Sequence, residues 1–166
     1  MTMTLIETIT VGSGGAASIE FTGIPQDGKD LQVLVSARNT STSTIFRFTL
    51  NNDTASNYTP LFLRGNGSTA SSSVFAPLNN PFALEQTIDS YTANTFANGN
   101  LYVSNYASSV SKSISGDSVS ENNATAAFQL LNTTQYSGTS PITSMQLFQT
   151  SGLFAEHSTA SLYSIS

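Results

Sequence analysis

The feature that most constrains this chain is a period-two alternation of apolar and polar residues, cut at short intervals by Gly, Pro and Asn. Leu31, Val33, Val35 and Ala37 share one face of an extended segment, with Gln32, Ser36 and Arg38 on the other. Phe46, Phe48 and Leu50 alternate with Ile45, Arg47 and Thr49, and Leu101, Val103 and Asn105 with Tyr102, Ser104 and Tyr106. Successive strand side chains point to opposite faces, so such runs read as half-buried strands. Nowhere is a 3.6-residue period sustained, and the best helical candidate, Asn123 to Leu131, reads as a strand through Ala126, Phe128 and Leu130.

The remaining segments follow the same logic. Leu5 to Val11 reads as a first strand and Ala17, Ile19 and Phe21 as a second, joined as a hairpin by Gly12-Ser13-Gly14-Gly15. Pro25-Gln26-Asp27-Gly28 is a turn, because Pro presets φ and Gly closes it. Leu61 and Leu63 mark a fifth strand that ends at a Gly65-Asn66-Gly67 reversal. The Ser/Pro-rich stretch 68–82 reads as a surface loop, 86–91 as a short strand, and the Ser-rich stretch 108–120 as another loop. Thr143, Met145 and Leu147 form a late strand, and Ala160, Leu162 and Ser164 a final one. The expectation is an all-β chain: a single antiparallel β-sandwich domain over 1–166, jelly-roll-like, with eight to ten strands.

Composition agrees with that class. Charged residues make up only 9% of the 166, and polarity comes instead from 27 Ser, 22 Thr and 14 Asn. Helix surfaces are usually covered by Lys, Glu, Gln and Arg, which are scarce here. Ten Phe and six Tyr supply a core that a disordered chain would lack. The net charge is −5, and the five basic residues (Lys29, Arg38, Arg47, Arg64, Lys112) are scattered, which argues against binding nucleic acid. There is no Cys for a disulfide or thiolate metal site and no apolar run near 18 residues to span a membrane; Met1 to Glu7 has neither a basic nor an apolar leader region, so a secretory signal is not expected.

Residues that carry chemistry are few. His157 is the one histidine, in a polar turn before the last strand, and reads as a solvated loop residue. The ten carboxylates are spread singly; Glu7 and Glu20 lie on adjacent early strands and could face each other or solvent. Asp27 and Asp30 are the sole close pair, short of the six to eight oxygens that Ca²⁺ takes. No catalytic, cofactor-binding or metal-ligating residue is assigned, no cofactor is expected, and the chain reads as a non-enzyme. Tyr91, Tyr102, Tyr106, Tyr136 and Tyr163 are the candidates for stacking on sugar rings if the chain holds a glycan, against the plainer reading of core and interface packing.

Two stretches together resemble a known group. The opening runs Leu5-Ile6-Glu7-Thr8-Ile9-Thr10-Val11-Gly12-Ser13-Gly14-Gly15-Ala16-Ala17-Ser18-Ile19-Glu20-Phe21, followed by Ile24-Pro25-Gln26 and Asp30-Leu31. The ending runs Phe154-Ala155-Glu156-His157-Ser158-Thr159-Ala160-Ser161-Leu162-Tyr163-Ser164-Ile165. Covering about a fifth of the chain, they resemble small virion structural proteins of tailed aquatic bacteriophages. His157 and Ser164 stand where that group carries glycine. The resemblance implies a jelly-roll virion protein, made in the host cytoplasm and placed on the outer surface of the particle. Its expected role is capsid decoration, cementing the shell by protein–protein contacts. Its expected partners are the major capsid protein and copies of itself, as a homotrimer matching the quasi-threefold positions of an icosahedral shell. The alternative is a tail-associated receptor- or glycan-binding module, meeting a host-surface glycan.

Overall fold

The computed structural model describes residues 1–121 and 127–166, and within them the chain forms twelve β-strands and no helix. The strands are β1 (Met3–Thr10), β2 (Ser18–Phe21), β3 (Asp30–Ala37), β4 (Ile45–Leu50), β5 (Tyr58–Gly65), β6 (Ala70–Val74), β7 (Phe82–Glu85), β8 (Ala97–Val103), β9 (Lys112–Glu121), β10 (Ala127–Tyr136), β11 (Met145–Phe148) and β12 (Thr159–Ile165). An eight-stranded sheet runs β1-β12-β3-β8-β9-β10-β5-β6, and a four-stranded sheet runs β2-β11-β4-β7. Neighbouring strands are antiparallel throughout, which makes the chain an all-β sandwich.

The alternation explains the core. Leu31, Val33, Val35 and Ala37 of β3 turn inward from the large sheet, and Phe46, Phe48 and Leu50 of β4 turn inward from the small one. Each large apolar side chain buried this way stabilises the fold by about 1.5–3 kcal/mol. Aromatic contacts close one end: Tyr58 stacks on Tyr136 with centroids 4.7 Å apart, and Phe48 meets Tyr58 edge-on at 5.9 Å.

Twelve strands exceed the eight to ten expected, because two polar segments with the composition of loops are strands. Residues 70–74 form edge strand β6, reached from β5 by a true hairpin in which Asn66 Oδ1 accepts from Ser68 N and Thr69 N. Residues 112–120 belong to β9, a ten-residue strand. Its inward positions are Lys112, Ile114, Gly116, Ser118 and Ser120, so small and polar groups occupy the buried face and hide the alternation. The space is needed by β7, whose Glu85 N donates to Ser118 Oγ at 2.8 Å. A Cβ on Gly116 would stand 2.4 Å from Asn132 Oδ1. Residues 127–131 of the Asn123–Leu131 segment are strand as expected, in β10; residues 123–126 lie outside the described ones.

Three local expectations are corrected. Gly12 to Gly15 turns the chain, with Gly15 N donating to Gly12 O at 3.2 Å, but it joins no hairpin: β1 pairs with β12 and β2 with β11, in different sheets. The short strand expected at 86–91 lies earlier, at Phe82–Glu85. The carbonyls of Asp89, Tyr91, Thr92 and Thr95 accept from the Arg38 guanidinium instead of a neighbouring strand. Strand β8 stops at Val103, because Asp30 Oδ1 captures Asn105 N at 2.7 Å and Asn105 takes φ 53°.

Lys112 is fully buried at the start of β9. Its Nζ donates to the carbonyls of Ser108, Val110, Thr139 and Ser140 at 2.8, 2.6, 3.1 and 2.7 Å, three protons shared among four acceptors. Removal from water lowers its pKa. One ammonium thereby fastens the loop before β9 to the loop after β10.

His157 adopts φ 72°, a left-handed conformation that costs about 1–2 kcal/mol for a residue with a Cβ. The turn is held there by His157 N donating to Val11 O at 2.9 Å and Ser158 N to Ala155 O at 3.0 Å. His157→Gly is expected to raise stability by up to about 1 kcal/mol, since relief of strain outweighs the added entropy of the unfolded chain. A thermal melt checks this; a lower Tm would show that the imidazole itself contributes.

Candidate binding surface

The residues that could carry chemistry separate in space. His157 is exposed at the turn before β12. Glu7 and Glu20 are exposed on strands of different sheets, opposite Leu162 and Gln146, so they do not face each other. Asp27 is exposed, but Asp30 is buried and already accepts from Tyr102 Oη at 2.5 Å and Asn105 N. No group of three or more His, Cys, Asp or Glu placed to hold a metal ion occurs among the described residues.

The tyrosines are mostly committed to the fold. Tyr106 is buried and its hydroxyl donates to Pro25 O. Tyr136 is buried, and burial together with its hydrogen bond to Asp53 Oδ2 raises its pKa to about 12. Burial pushes the Asp53 carboxyl up, but hydrogen bonds from Asn57, Ala55 and Tyr136 outweigh it and hold the carboxyl below its usual range. Tyr91 stacks on Phe128 at 6.2 Å, and Tyr102 holds Asp30. Tyr163 stands half-buried on the outer face of the large sheet, opposite Leu5 of β1 and Gln32 of β3, and Tyr102 flanks the same Gln32 from β8.

The surface that the residues do build is the outer face of the eight-stranded sheet. Strand register places Thr8, Ser161, Leu34, Asn100, Asp117, Leu131, Leu63 and Ser72 in one row across all eight strands. On the β12–β9 side lies a polar groove of about 340 Å³ that includes Ser36, Asn98, Asn100 and Asp117, where Asn100 Nδ2 donates to Asp117 Oδ1 at 2.5 Å. On the β9–β6 side the row turns apolar. Leu63 and Leu131 face each other across β5 and β10, and Leu61 faces Val74 across β5 and β6. All four are exposed, Val74 at 71%, and Val119 lies diagonal to Leu131.

Five large apolar side chains on four adjacent strands form a contiguous patch, which differs from apolar residues scattered singly over a surface. An apolar centre beside a polar rim is the anatomy of a protein–protein interface. The patch adjoins strand β6, which among the described residues pairs with β5 alone and stands at the edge of the sheet. Its sequence, Ala70 to Val74, has no charge or proline to discourage pairing.

Alternation alone does not disclose this surface, for a definite reason. Leu61 and Leu63 carry the pattern of core residues, whereas the inward positions of β5 are Tyr58, Pro60, Phe62 and Arg64. A strand whose two faces are both apolar gives no parity signal to separate inside from outside. No protein-family model, curated protein or solved structure matches this chain.

Proposed function

We propose that the chain is a bacteriophage virion structural protein, a capsid decoration (cement) protein on a jelly-roll-like sandwich. It binds the shell surface and stabilises it by contacts with the major capsid protein and with copies of itself as a homotrimer, on the outside of the particle. The role is binding and assembly, without a catalytic step. The observation that carries the proposal is the exposed Leu63–Leu131 and Leu61–Val74 pairing on the outer face of the large sheet, beside edge strand β6. Support also comes from the opening and closing segments that resemble tailed-phage virion proteins.

Copy number in purified particles tests the setting: hundreds of copies per particle support it, and a handful at the tail overturns it. The surface is tested separately. Leu63→Asp and Leu131→Asp are each expected to weaken particle binding by about 30-fold or more, the scale of an interface hot spot. Both side chains are exposed, so unfolding stability should change by no more than about 0.5 kcal/mol. Unchanged particle binding by the folded double variant would remove this face from the interface.

A further inference from the structure

Beyond the assembly role, we propose that the outer face of the four-stranded sheet holds a site for a neutral saccharide ring. The site is a groove of about 300 Å³ between β4, β11 and two loops, and Phe148, Gln146, Thr49, Asn52, Asn79 and Asn80 line it. That volume lies at the small-ligand end of binding pockets, which run from roughly 300 to 1,000 Å³.

The geometry is set by the strands. Gln146 and Phe148 are alternate residues of β11 and so share its outer face. Gln146 pairs across the sheet with Thr49, and Phe148 with Arg47. Both loop walls are pinned by groups that do not enter the groove. Asn51 donates to Pro141 O at 2.9 Å and accepts from Thr143 N and Ser144 N, which fixes the turn that presents Asn52 at φ 54°. Arg47 stacks 3.7 Å over Phe82 and donates to Asn80 O at 3.1 Å, which fixes the opposite wall. Walls held in this way lose little entropy when a ligand arrives.

The polar groups inside are unspent. The side-chain amides of Asn52, Asn79, Asn80 and Gln146 make no hydrogen bond with any described residue. Thr49 is 5% exposed, and its hydroxyl also has no partner among the described residues. Thr49 lines the groove, so its hydroxyl is open to a ligand there.

The donor set selects the ligand class. Amides offer both donors and acceptors, which matches hydroxyls that do the same. An aromatic ring offers an apolar face to the C–H side of a pyranose. No carboxylate lines the groove, and its one neighbouring cation, Arg47, is already engaged, so an anion finds no counter-charge. A purely apolar ligand would leave four amides and a hydroxyl dry, each at a cost of about 1–3 kcal/mol. A neutral, hydroxyl-rich ring satisfies both the amides and the aromatic face.

The test is a glycan array carrying neutral and acidic oligosaccharides, followed by saturation-transfer NMR with free neutral monosaccharides and the neutral oligosaccharides that bind. Binding of neutral saccharides is expected with dissociation constants of order 1 mM for single rings. Signal from free monosaccharides as well as oligosaccharides would identify the single ring as the ligand, and oligosaccharides alone would make it one unit of a longer chain. Gln146→Ala, Asn79→Ala and Phe148→Ala should each weaken it about tenfold or more, while Leu63→Asp on the opposite sheet leaves it unchanged. Gln146 and Asn79 make no structural hydrogen bond, so those variants report on the site even if Phe148→Ala perturbs folding. Absence of neutral-saccharide binding, stronger binding of acidic glycans, or full binding by the Gln146→Ala/Asn79→Ala variant would each overturn the proposal. Failure here leaves the particle-binding test on the other sheet independent.

Discussion

Lys112→Met is expected to destabilise the protein by about 3 kcal/mol, because it keeps the length of the side chain and removes the charge that four carbonyls share. Hydrogen bonds to a charged donor are the strong class, and the carbonyls of Thr139 and Ser140 have no replacement ammonium. Loss of that size is a large part of the 5–15 kcal/mol that typically separates folded from unfolded domains. Urea unfolding checks it, and a shift below about 1 kcal/mol would show that water replaces the ammonium at little cost. Limited proteolysis should report the same change locally, with faster cleavage at 108–111 and 139–140, the loops that Lys112 fastens together.

Arg64→Met is expected to cost a similar amount near neutral pH, about 3 kcal/mol or more, by stranding a buried carboxylate. The Glu85 side chain has no solvent exposure, and Arg64 meets it in a fork: Nη2 to Oε1 at 2.6 Å and Nε to Oε2 at 3.1 Å. The Arg64 guanidinium also lies 4.6 Å from the centre of the Phe128 ring. Burial pushes the Glu85 carboxyl above its usual pKa, and Arg64 pulls it only partly back. An acid raised in the folded state binds protons that the unfolded chain has already released. Stability from this group is therefore full below the unfolded pKa and is lost as pH rises through the folded one. Without Arg64 the raised value climbs further, so the variant should recover stability on acidification while the parent gains less. The double variant Arg64→Met/Glu85→Gln should recover most of the loss at neutral pH. Equal losses in the single and double variants would mean that Arg64 acts through packing on Phe128 and not through charge.

The strands that are legible in the sequence are those whose inner face is fully apolar. Leu31 to Ala37, Phe46 to Leu50 and Leu101 to Val103 announce themselves because the core accepts only carbon there. Strand β9 is illegible because Gly116, Ser118 and Ser120 take core positions beside β7, and β6 because an exposed edge strand of Ala and Ser has no inner face to mark. Asn132 and Thr134 continue that polar interior on β10, where Asn132 Oδ1 and Thr134 Oγ1 have no hydrogen-bond partner among the described residues. Both binding surfaces are illegible for a further reason. Each is assembled from strands distant in sequence, such as Leu63 against Leu131 or Thr49 against Gln146, and pairing register alone brings them together.

By itself the sequence determined the class of fold. Period-two alternation, scarce charge and a Ser/Thr/Asn alphabet leave no stable way to cover a helix, and sixteen Phe and Tyr residues require a core. It also placed the single histidine in a turn and showed the carboxylates spread singly along the chain, though not that Asp30 and Glu85 are buried. Tertiary structure decided the rest: which strands are neighbours, that Gly12 to Gly15 crosses between sheets, that a lysine and a glutamate are buried with partners, and which leucines face outward. The physical reason is that alternation specifies two faces of a strand but not which face another strand or sheet will cover. That choice is a sum over distant contacts, and only the folded chain makes it.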